Sequence, residues 1–416
     1  MTKASLVVLA YNQLSYTTLC IDSIYKYSKD VDFELITVNN GSTDGTKEYF
    51  DSLPNKKKIN YETNVGIEKA INDSIDISEG EYYVLINNDI ILTTNWLSNI
   101  VKVLDSDPKV GAVVPASNTP TNDQIVYAEY TNTTELQEFA RNYNVSNPRK
   151  WEERVDLTMY LVAFRTKELI ELGKLDTAYS PGGHDDDDLS FRYRRAGYKL
   201  ILAYDTYVHH YGSVTMVEHY VDRPHMNKNH LYFINKFGVD VYQVIFSMNY
   251  LVLLNLDCSK KGDLSFLSVG RTCGNTMLRA KNILKRNEWI DNIETTYYSL
   301  GSLYLTDLKT LFDTVILGSL DKVDESISNN KYDFIFIEED FSTLGDLVIS
   351  NLLSNFRNNL KENGDLFITF TNTASSTFRE NLENIIEDYN YSISDIKSND
   401  KDCIYILRPP TIIDIN

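Results

Sequence analysis

One stretch, residues 82–92, constrains the fold of this chain more than any other. Its first five residues, 82–86, are apolar or aromatic without interruption, which predicts a strand buried on both faces. Such a strand is typical of a parallel sheet flanked by helices. We expect the side chains of Asn87 and Asp89 to point the same way, because side chains alternate along an extended chain. A carboxylate at the carboxyl end of a central strand lies where open α/β sheets bind ligands.

Strand and helix patterns alternate around this stretch, which predicts an α/β fold. Buried strands at 5–10 and 33–38 precede it, and each leads into a helical pattern. This order is typical of a doubly wound, mostly parallel sheet whose polar loops gather at one edge, so we expect a nucleotide-sized cleft there. The other predicted elements are helices at 47–53, 67–75, 96–104 and 166–172, strands at 110–115, 157–165 and 200–203, and a long polar loop at 116–156.

The charge balance excludes several classes of protein. The chain has 416 residues, enough for two domains, and its 59 acidic and 40 basic residues give a net charge of −19. This charge argues against a nucleic-acid surface and a polybasic membrane anchor. No apolar run reaches the ~18 residues of a membrane span, and no signal peptide precedes the first strand. The four scattered cysteines form no disulfide or zinc pattern, so we expect a soluble, cytoplasmic protein.

Four consecutive aspartates, Asp185 to Asp188, open a predicted helix whose later turns carry three arginines. Acids at the start of a helix complement its dipole, but that accounts for only one or two of them. Adjacent carboxylates repel one another, so at least one needs a metal, a cation or a raised pKa. His209 and His210 follow a later strand, and two histidines beside a cleft lined with aspartate are candidate metal ligands.

Six short motifs are spread over about the first 215 residues. They are Val8-Leu9-Ala10-Tyr11-Asn12, Asn39-Asn40-Gly41-Ser42-Thr43-Asp44-Gly45-Thr46, Asn64-Val65-Gly66, Leu85-Ile86-Asn87-Asn88-Asp89, Asp185-Asp186-Asp187-Asp188-Leu189 and His210-Tyr211-Gly212-Ser213. In this order they resemble the family 2 glycosyltransferases of the GT-A fold. Each motif alone is a weak signal, whereas six in register are specific. The resemblance implies an inverting, metal-dependent transfer of a sugar from a nucleoside diphosphate sugar.

The resemblance gives roles to the polar residues at the predicted sheet edge. Asp89 is similar to the metal ligand that ends the family's Asp-x-Asp element, and Asn87 stands at its first position, where we expect contact with the ribose. His210 is similar to the family's late metal or diphosphate ligand, with His209 as the alternative. A Mg²⁺ or Mn²⁺ ion held by one or two protein ligands, phosphates and waters suits such a site.

The catalytic Glu-Asp pair of the family falls on the run of aspartates. The resemblance puts Asp185 at the glutamate and Asp186 at the base, which removes the proton from the attacking hydroxyl. A slip by one residue keeps Asp185 and Asp187 as alternatives for the base. Asp188 is expected to cap the helix.

The donor contacts that the resemblance implies lie mainly in the loops after the first strands. Asn39 stands where the family carries an aspartate that accepts a hydrogen bond from uracil or thymine, and an uncharged amide accepts more weakly. Uridine is still preferred, because the first loop keeps the family pattern. The expected nucleotide-sugar contacts are Ala10, Tyr11, Asn12, Asn39, Asp44, Asn64, Gly66, Lys69, Asn87 and Asn88.

The remaining sequence predicts a helical connector at 216–250 and a second domain at 251–416, after a first domain at 1–215. The order of strand, glycine turn and helix at 264–276, with later strands at 332–338 and 366–370, resembles an S-adenosylmethionine methyltransferase. However, Thr272 replaces the middle glycine of the cofactor loop, and acids are absent near Ser268 and at 297–305. We therefore expect a Rossmann-like domain without S-adenosylmethionine, which holds a partner, positions an acceptor or forms an oligomer.

These expectations combine into one hypothesis for the function. The chain moves a sugar, preferably N-acetylglucosamine, from a UDP-sugar to an acceptor hydroxyl. The extra domain favours a protein acceptor, and Ser or Thr of flagellin is the specific hypothesis. The alternatives are a cell-surface polysaccharide glycosyltransferase, such as a rhamnosyltransferase using a dTDP-sugar, a bifunctional glycosyl- and methyltransferase, and a catalytically inactive scaffold that binds sugar nucleotides.

Overall fold

A computed structural model describes residues 3–119, 123–212, 224–246, 248–327 and 330–409. The chain divides into two compact units, Met1–Val241 and Tyr242–Asn416. This boundary lies inside the predicted connector at 216–250, and a helix of that segment, Pro224–Phe237, belongs to the first unit. Ser213, the last residue of the sixth motif, lies outside the described residues.

The first unit is built on a nine-stranded sheet in the order β3-β2-β1-β4-β8-β6-β9-β5, with β7 also paired to β9. Its strands are β1 (Ala4–Ala10), β2 (Phe33–Asn40), β3 (Lys57–Tyr61), β4 (Tyr82–Asn87), β5 (Ile90–Ile91), β6 (Val110–Ser117), β7 (Trp151–Glu153), β8 (Leu161–Arg165) and β9 (Lys199–His210). Its helices are α1 (Leu14–Tyr27), α2 (Thr46–Ser52), α3 (Ile67–Asp76), α4 (Trp96–Ser106), α5 (Thr133–Tyr143), α6 (Thr166–Glu171), α7 (Asp185–Arg195) and α8 (Pro224–Phe237).

The strand residues alternate between two buried layers, as expected for a sheet covered on both faces. In β1, Leu6 and Val8 join one core cluster and Val7 joins the other. β1, β2, β3 and β4 run parallel, whereas β8 is antiparallel to both β4 and β6. The predicted α/β class, with a mostly parallel first sheet, is confirmed.

Strand register brings the predicted polar residues to one edge. Ala10 pairs with Asn39 of β2, and Leu9 pairs with Asn87 of β4, so three parallel strands end at the same level. On the other side of the sheet, β5 pairs antiparallel with the end of β9. The carboxyl ends of strands that are distant in sequence therefore meet, as the α/β pattern predicts.

The prediction of an irregular loop at 116–156 is wrong in part. Helix α5 lies in this segment, and Asn132 caps it by accepting from the backbone amides of Thr134 and Glu135. Only three of its residues are buried, and one of them is Gln137, so its apolar stripe is too weak to read from the sequence. The predicted strand at 200–203 is also too short, since β9 continues to His210.

The second unit contains a seven-stranded sheet in the order β12-β11-β10-β13-β14-β16-β15. Neighbouring strands from β12 to β14 are parallel, and β16 and β15 add antiparallel pairs at one side. A Rossmann-like second sheet is thereby confirmed. Its strands are β10 (Gly262–Gly270), β11 (Ile290–Ser299), β12 (Thr314–Leu317), β13 (Tyr332–Asp340), β14 (Leu360–Thr371), β15 (Ser392–Ser398) and β16 (Asp402–Arg408). The remaining helices are α9 (Val241–Phe246), which begins at the boundary, α10 (Tyr250–Leu254), α11 (Asn275–Lys285), α12 (Leu305–Leu311), α13 (Val323–Ile327), α14 (Asp346–Asn359) and α15 (Ser376–Asp388).

Within the described ranges, no single helix has the length and apolar composition needed to cross a bilayer. Two consecutive helices, His225–Phe237 and Val241–Leu254, reach that length and composition only when they are counted together.

Candidate active site

A cavity of about 480 Å³ lies at the carboxyl edge of β1, β2 and β4. This volume is within the usual range of small-ligand pockets, about 300–1,000 Å³. Its polar lining consists of Tyr11, Asn40, Asn64, Asn87, Asn88, Asp89, Thr119, Thr158, Asp185, Asp186 and His210. Its apolar walls include Leu9, Ile67, Ile71, Tyr83, Leu85, Met159, Tyr160, Phe164, Leu175 and Leu189. The expected cleft is thus present, and it gathers residues from all six sequence motifs.

Asp89 and His210 meet in this cavity because of a short antiparallel ladder. Ile90 of β5 pairs with His210 of β9, and the backbone amide of Tyr211 donates to the carbonyl of Asp89 at 3.0 Å. The Asp89 Oδ1 atom lies 3.2 Å from His210 Nε2, and both side chains are buried. His210 Nε2 has no hydrogen-bond partner among the described residues. A buried ring nitrogen that makes no hydrogen bond and lies beside a carboxylate is a suitable ligand for a cation.

Two residues that the sequence analysis did not identify hold His210 in place. Asn118 accepts from the His210 amide at 2.8 Å and donates to its carbonyl at 3.1 Å. The Tyr160 ring stacks on the imidazole with a centroid distance of 5.2 Å. Asn118 directly follows β6 and lies three residues after the predicted strand at 110–115, so its place near a strand end was the only available signal. The position of Tyr160 on the imidazole depends on the tertiary fold.

His209 does not reach the cavity. Consecutive residues of a strand point to opposite faces, so only one of the two histidines faces the site. The Nδ1 atom of His209 lies 2.5 Å from the Tyr130 hydroxyl, and its ring packs edge-to-face on Tyr130. Of the two alternatives, the geometry therefore favours His210.

The donor set of Asp89 and His210 fits a divalent ion shared with a substrate. No group of three or more His, Cys, Asp or Glu side chains that could hold a metal occurs in the described part of the chain. Mg²⁺ commonly takes only one or two protein ligands and completes its shell with substrate phosphates and water. Metal–ligand distances of ~2.1 Å put neighbouring ligands about 3 Å apart, which matches the spacing of this pair.

The four aspartates of α7 divide into two pairs with different environments. Asp185 and Asp186 line the cavity. Asp187 lies 2.6 Å from His184 Nδ1 and is not in the cavity lining, so it is a poor alternative for the base. Asp188 accepts from Arg192 Nε at 2.6 Å. It also forms an ion pair with Lys236 at 2.5 Å.

The predicted cap at Asp188 is wrong. Helix α7 begins three residues earlier, at Asp185, and His184 in the left-handed conformation precedes it. A residue in the fourth helical position cannot cap the helix start, because its own amide already bonds to the carbonyl of His184.

Burial raises the pKa values of the aspartates in and behind the cavity wall. The pKa of Asp186 is raised well above its ordinary value, first by burial and then by the charges of Asp185 and Asp156. Burial also raises the pKa of Asp185. The pKa of Asp187 rises for the same reason, with the charge of Asp186 as the next cause. The raised pKa values, together with the ion pairs of Asp188 with Arg192 and Lys236, agree with the expectation that adjacent acids require a cation or a raised pKa.

The predicted donor contacts are only partly brought together. Tyr11, Asn64, Asn87 and Asn88 line the cavity, and so does Asn40, which the sequence analysis did not name as a contact. Asn40 donates to Asn64 Oδ1 at 3.1 Å and accepts from the Val65 amide at 2.9 Å. The other predicted contacts, absent from the cavity lining, are Ala10, Asn12, Asn39, Asp44, Gly66 and Lys69.

Several of these other residues build the loops that surround the cavity. The side-chain oxygen of Asn39 accepts from the Ser42 amide at 2.9 Å, so this oxygen is already engaged. Asp44 accepts from the Leu14 amide at 2.8 Å. Lys69 forms an ion pair with Asp73 at 2.7 Å. These contacts indicate a structural contribution from all three residues.

Gly66 stands where the chain approaches another loop closely. Its φ angle is +91°, and an added Cβ atom would lie 2.3 Å from Ser180 Oγ. Only glycine is compatible with both conditions. Gly66 therefore fixes the start of α3 against the segment that leads to Asp185.

Glu68 is a buried acid that the sequence analysis did not identify. It lies in the first turn of α3 and is 0% exposed. Burial, and secondly the charge of Asp185, raise the pKa of Glu68 to about 7. Glu68 therefore adds to the electrostatic cost of keeping Asp185 ionised.

Comparisons with known proteins agree with this site. Residues 5–162, less than half of the chain, match the family model "Glycosyl transferase family 2". Among curated proteins, the glycosyltransferase GlyG of Streptococcus pneumoniae is 30% identical over 114 residues, which cover 26% of this chain and 38% of GlyG. The teichoic acid poly(glycerol phosphate) polymerase of Staphylococcus epidermidis is 34% identical over 94 residues, which cover 21% of this chain and 13% of that protein. The chain thus spans well under half the length of these relatives.

Solved structures are similar to this chain only at a low level. The structure of GalNAc-T7 with UDP, GalNAc and Mn²⁺ has a TM-score of 0.46 and 15% identity, covering 59% of this chain and 50% of that one. A TehB-like SAM-dependent methyltransferase from Corynebacterium glutamicum has a TM-score of 0.31 and 15% identity, covering 44% of this chain and 96% of that one. Both scores are low, so the fold assignment rests on the strand order.

We predict that Glu68→Gln changes the pH dependence of stability. The unfolded chain releases the Glu68 proton near pH 4.5, and the folded chain releases it near pH 7. Wild-type stability should therefore fall as pH rises through this window, by up to about 3 kcal/mol from this group. The glutamine variant should lack this contribution and gain stability relative to wild type at pH 8.

Urea unfolding at pH 5 and pH 8 measures this effect. Glu62→Gln, an exposed glutamate on the preceding loop, serves as the matched control and should change neither value by more than about 0.5 kcal/mol. Equal pH dependence in wild type and Glu68→Gln would contradict the assignment.

Proposed function

We propose that this chain is a family 2 glycosyltransferase that moves a sugar from a nucleoside diphosphate sugar to an acceptor hydroxyl. The observation that carries the proposal is that the Asp89–His210 pair and the Asp185–Asp186 pair line the same cavity. The first pair suits a divalent cation, and the second suits proton removal from an attacking hydroxyl. The family match over residues 5–162 supports the same reaction.

Asp89 and His210 would hold Mn²⁺ or Mg²⁺ beside the diphosphate of the donor. When bound, such an ion neutralises the negative charge that develops on the leaving diphosphate. None of the described residues that line the cavity is Lys or Arg. In our proposal, the positive charge beside the phosphates would therefore come from an ion held by Asp89 and His210. Asn87 and Asn88, next to Asp89, offer amides for the ribose and phosphate oxygens.

Asp186 acts as the base in this proposal. The acceptor oxygen forms a bond to the anomeric carbon on the face opposite the diphosphate, and its proton passes to the Asp186 carboxylate. The bond from the anomeric carbon to the phosphate oxygen breaks, and its electron pair leaves with the nucleoside diphosphate. Burial raises the pKa of Asp186, which increases its affinity for the proton. Asp185, which accepts from the Gly183 amide at 2.8 Å, is the alternative base.

We propose a UDP-sugar, with N-acetylglucosamine as the preferred sugar. The first loop keeps Tyr11 at the cavity, in keeping with the family pattern for uridine. Because the Asn39 oxygen is engaged by Ser42, recognition of the base does not depend on that atom in our proposal. A dTDP-sugar is the alternative donor.

For the acceptor we propose a protein hydroxyl, with Ser or Thr of flagellin as the specific hypothesis. The second unit, Tyr242–Asn416, provides a folded body that could hold such a partner or an acceptor. A cell-surface polymer is the second candidate, because one of the relatives is named as a teichoic acid polymerase. A scaffold that only binds sugar nucleotides is disfavoured, since it has no need for the acids of the cavity wall.

We propose that the second unit does not use S-adenosylmethionine. A cavity of about 280 Å³ lies at the loop after β10, and hydrogen bonds within the chain cross its wall: Thr272 donates to the Glu338 carboxylate, and Tyr297 donates to it at 3.1 Å. A Cβ atom on Gly274 would lie 2.4 Å from the Phe312 ring. A cofactor of this kind needs close approach to such a loop, so these residues do not fit it.

Removal of the metal should abolish activity. We expect UDP release from a UDP-sugar to require Mn²⁺ or Mg²⁺ and to stop when EDTA is added. His210→Gln should weaken Mn²⁺-dependent UDP binding by at least about tenfold, whereas the neighbouring His209→Gln should stay within about threefold. Calorimetric titration of UDP in the presence of Mn²⁺ measures both variants, and equal losses in the two would argue against His210 as a ligand.

Asp186→Asn should remove transfer while the donor still binds. Loss of the base should lower turnover by about 10²- to 10⁴-fold, and UDP affinity should change by only a few fold. Glu171→Gln, at an exposed position of α6, is the control for the loss of a charge. Full activity of Asp186→Asn would assign the base elsewhere, with Asp185→Asn as the next variant.

Mass spectrometry tests the acceptor. Incubation with UDP-N-acetylglucosamine, Mn²⁺ and unmodified flagellin should add the mass of an N-acetylhexosamine residue to flagellin. A parallel incubation with teichoic acid polymer distinguishes the second candidate. If flagellin gains no mass from any of several sugar nucleotides, this acceptor is wrong.

S-adenosylmethionine should not bind the second unit. Calorimetric titration of the chain should give no heat at micromolar concentrations, because the Thr272 and Tyr297 hydroxyls bond to Glu338 at the loop after β10. Micromolar binding would contradict this part of the proposal and favour a bifunctional enzyme.

A further inference from the structure

Helix α8, in the segment predicted as a connector, carries a buried asparagine that contacts the loop before the catalytic acids. Asn229 is 0% exposed. Its Nδ2 atom donates to the carbonyl oxygens of Tyr179 at 2.6 Å, Gly182 at 3.0 Å and Gly183 at 3.2 Å. The amide must face this way, because its oxygen would repel three carbonyl oxygens.

The contacted loop has an unusual backbone. Gly182, Gly183 and His184 have φ angles of +107°, +91° and +69° in succession, all in the left-handed region. This region is unfavourable for a residue with a side chain, such as His184, and persists only when surrounding contacts enforce it. The chain leaves this run directly into Asp185, the first residue of α7. The direction of the helix start, and with it the position of the acids, therefore depends on the loop.

We propose that Asn229 is a positioning residue that holds the Tyr179–Gly183 loop so that Asp185 and Asp186 keep their places in the cavity wall. The catalytic consequence rests on the proposed glycosyltransferase function, whereas the structural one does not. Asn229 touches no cavity-lining acid itself. It acts through the carbonyls of the loop.

Other contacts dock α8 independently of Asn229. Lys236 forms ion pairs with Asp176 at 2.7 Å and with Asp188 at 2.5 Å. The rings of Phe233 and Phe191 pack edge-to-face with centroids 5.0 Å apart. Substitution of Asn229 should therefore free the loop while α8 stays attached to α7.

The loop also leaves little room for a replacement contact. A Cβ atom on Gly183 would lie 2.4 Å from Met226 Sδ of α8, so the helix and the loop are already in close contact. Water has little space to replace the Asn229 amide between them. The carbonyls of Tyr179, Gly182 and Gly183 would lose this donor when the amide is removed.

Three variants test the proposal. Asn229→Ala removes the amide, and Asn229→Asp keeps the shape of the side chain but removes its donors. Asn227→Ala, at an exposed position of the same helix, is the matched control. Hydrogen exchange of the peptide covering 179–188 should be at least about tenfold faster in both Asn229 variants and unchanged in the control.

Steady-state kinetics of UDP-sugar turnover provide the second measurement. We expect kcat to fall by about 10- to 100-fold in the Asn229 variants, because the acids are displaced from the reacting atoms. The KM for the donor should stay within about threefold, since the Asp89–His210 pair is untouched. A purely structural residue would instead lower the amount of folded protein without this separation of kcat from KM.

The outcomes separate this proposal from the proposed function. If the wild-type chain turns over no sugar nucleotide, the glycosyltransferase function fails, and the exchange measurement still tests the loop. Unchanged exchange at 179–188 in both Asn229 variants would overturn the positioning role even in an active enzyme. Unfolding of both variants would overturn it as well, because Asn229 would then be required for the whole unit.

Discussion

The two-residue strand β5 is the element on which the candidate site depends. Its antiparallel pairing with the end of β9 brings Asp89, in the stretch 82–92, beside His210, which is far away in the sequence. Contacts from two helices fix the chain just after β5. Ser23 of α1 accepts from the Leu92 amide at 3.0 Å, and Gln137 of α5 donates to the Leu92 carbonyl at 2.9 Å. The proposed pair of cation ligands is thus held by backbone hydrogen bonds and buried amides, which favours a rigid site.

The same unit keeps an unusual density of buried acids near this pair. The negative charge of these acids is reduced or paired in more than one way. Asp188 has two cationic partners, Asp187 has His184, and the pKa values of Asp185 and Asp186 are raised by burial. Buried carboxylates destabilise a fold unless they are neutralised. Their concentration around one cavity is typical of a functional site, where groups needed for the reaction are kept although they lower the stability of the fold.

The two units show what different side chains do to the same kind of sheet edge. In the first unit, small and polar residues such as Gly182 and Asn87 leave a cavity at the strand ends. In the second unit, Glu338, Tyr297 and Thr272 form hydrogen bonds across the loop after β10. The side-chain lining of this edge therefore differs between the two parallel sheets. The side chains at the strand ends decide whether a ligand can approach the backbone.

The sequence by itself determined the α/β class, the order of the first strands and the location of the cleft. These follow from local patterns: the apolar runs of β1, β2 and β4, and the polar residues such as Asp89 that end them. Helix α5 escaped prediction because few of its residues are buried and one of those is polar. Local periodicity carries no information about such an element, since its packing partners lie elsewhere in the chain.

Only the tertiary structure decided which of several equivalent residues face the cavity. Side chains alternate along β9, so His210 lines the cavity and His209 does not. Along α7, Asp185 and Asp186 line the cavity, whereas Asp187 does not. Asn118 and Asn229 bond to the backbone of distant segments, and the only local signal for either was the place of Asn118 at a strand end. The physical reason is the same throughout. A sequence pattern fixes the alternation of side chains within an element, whereas the direction in which that element faces is set by long-range contacts.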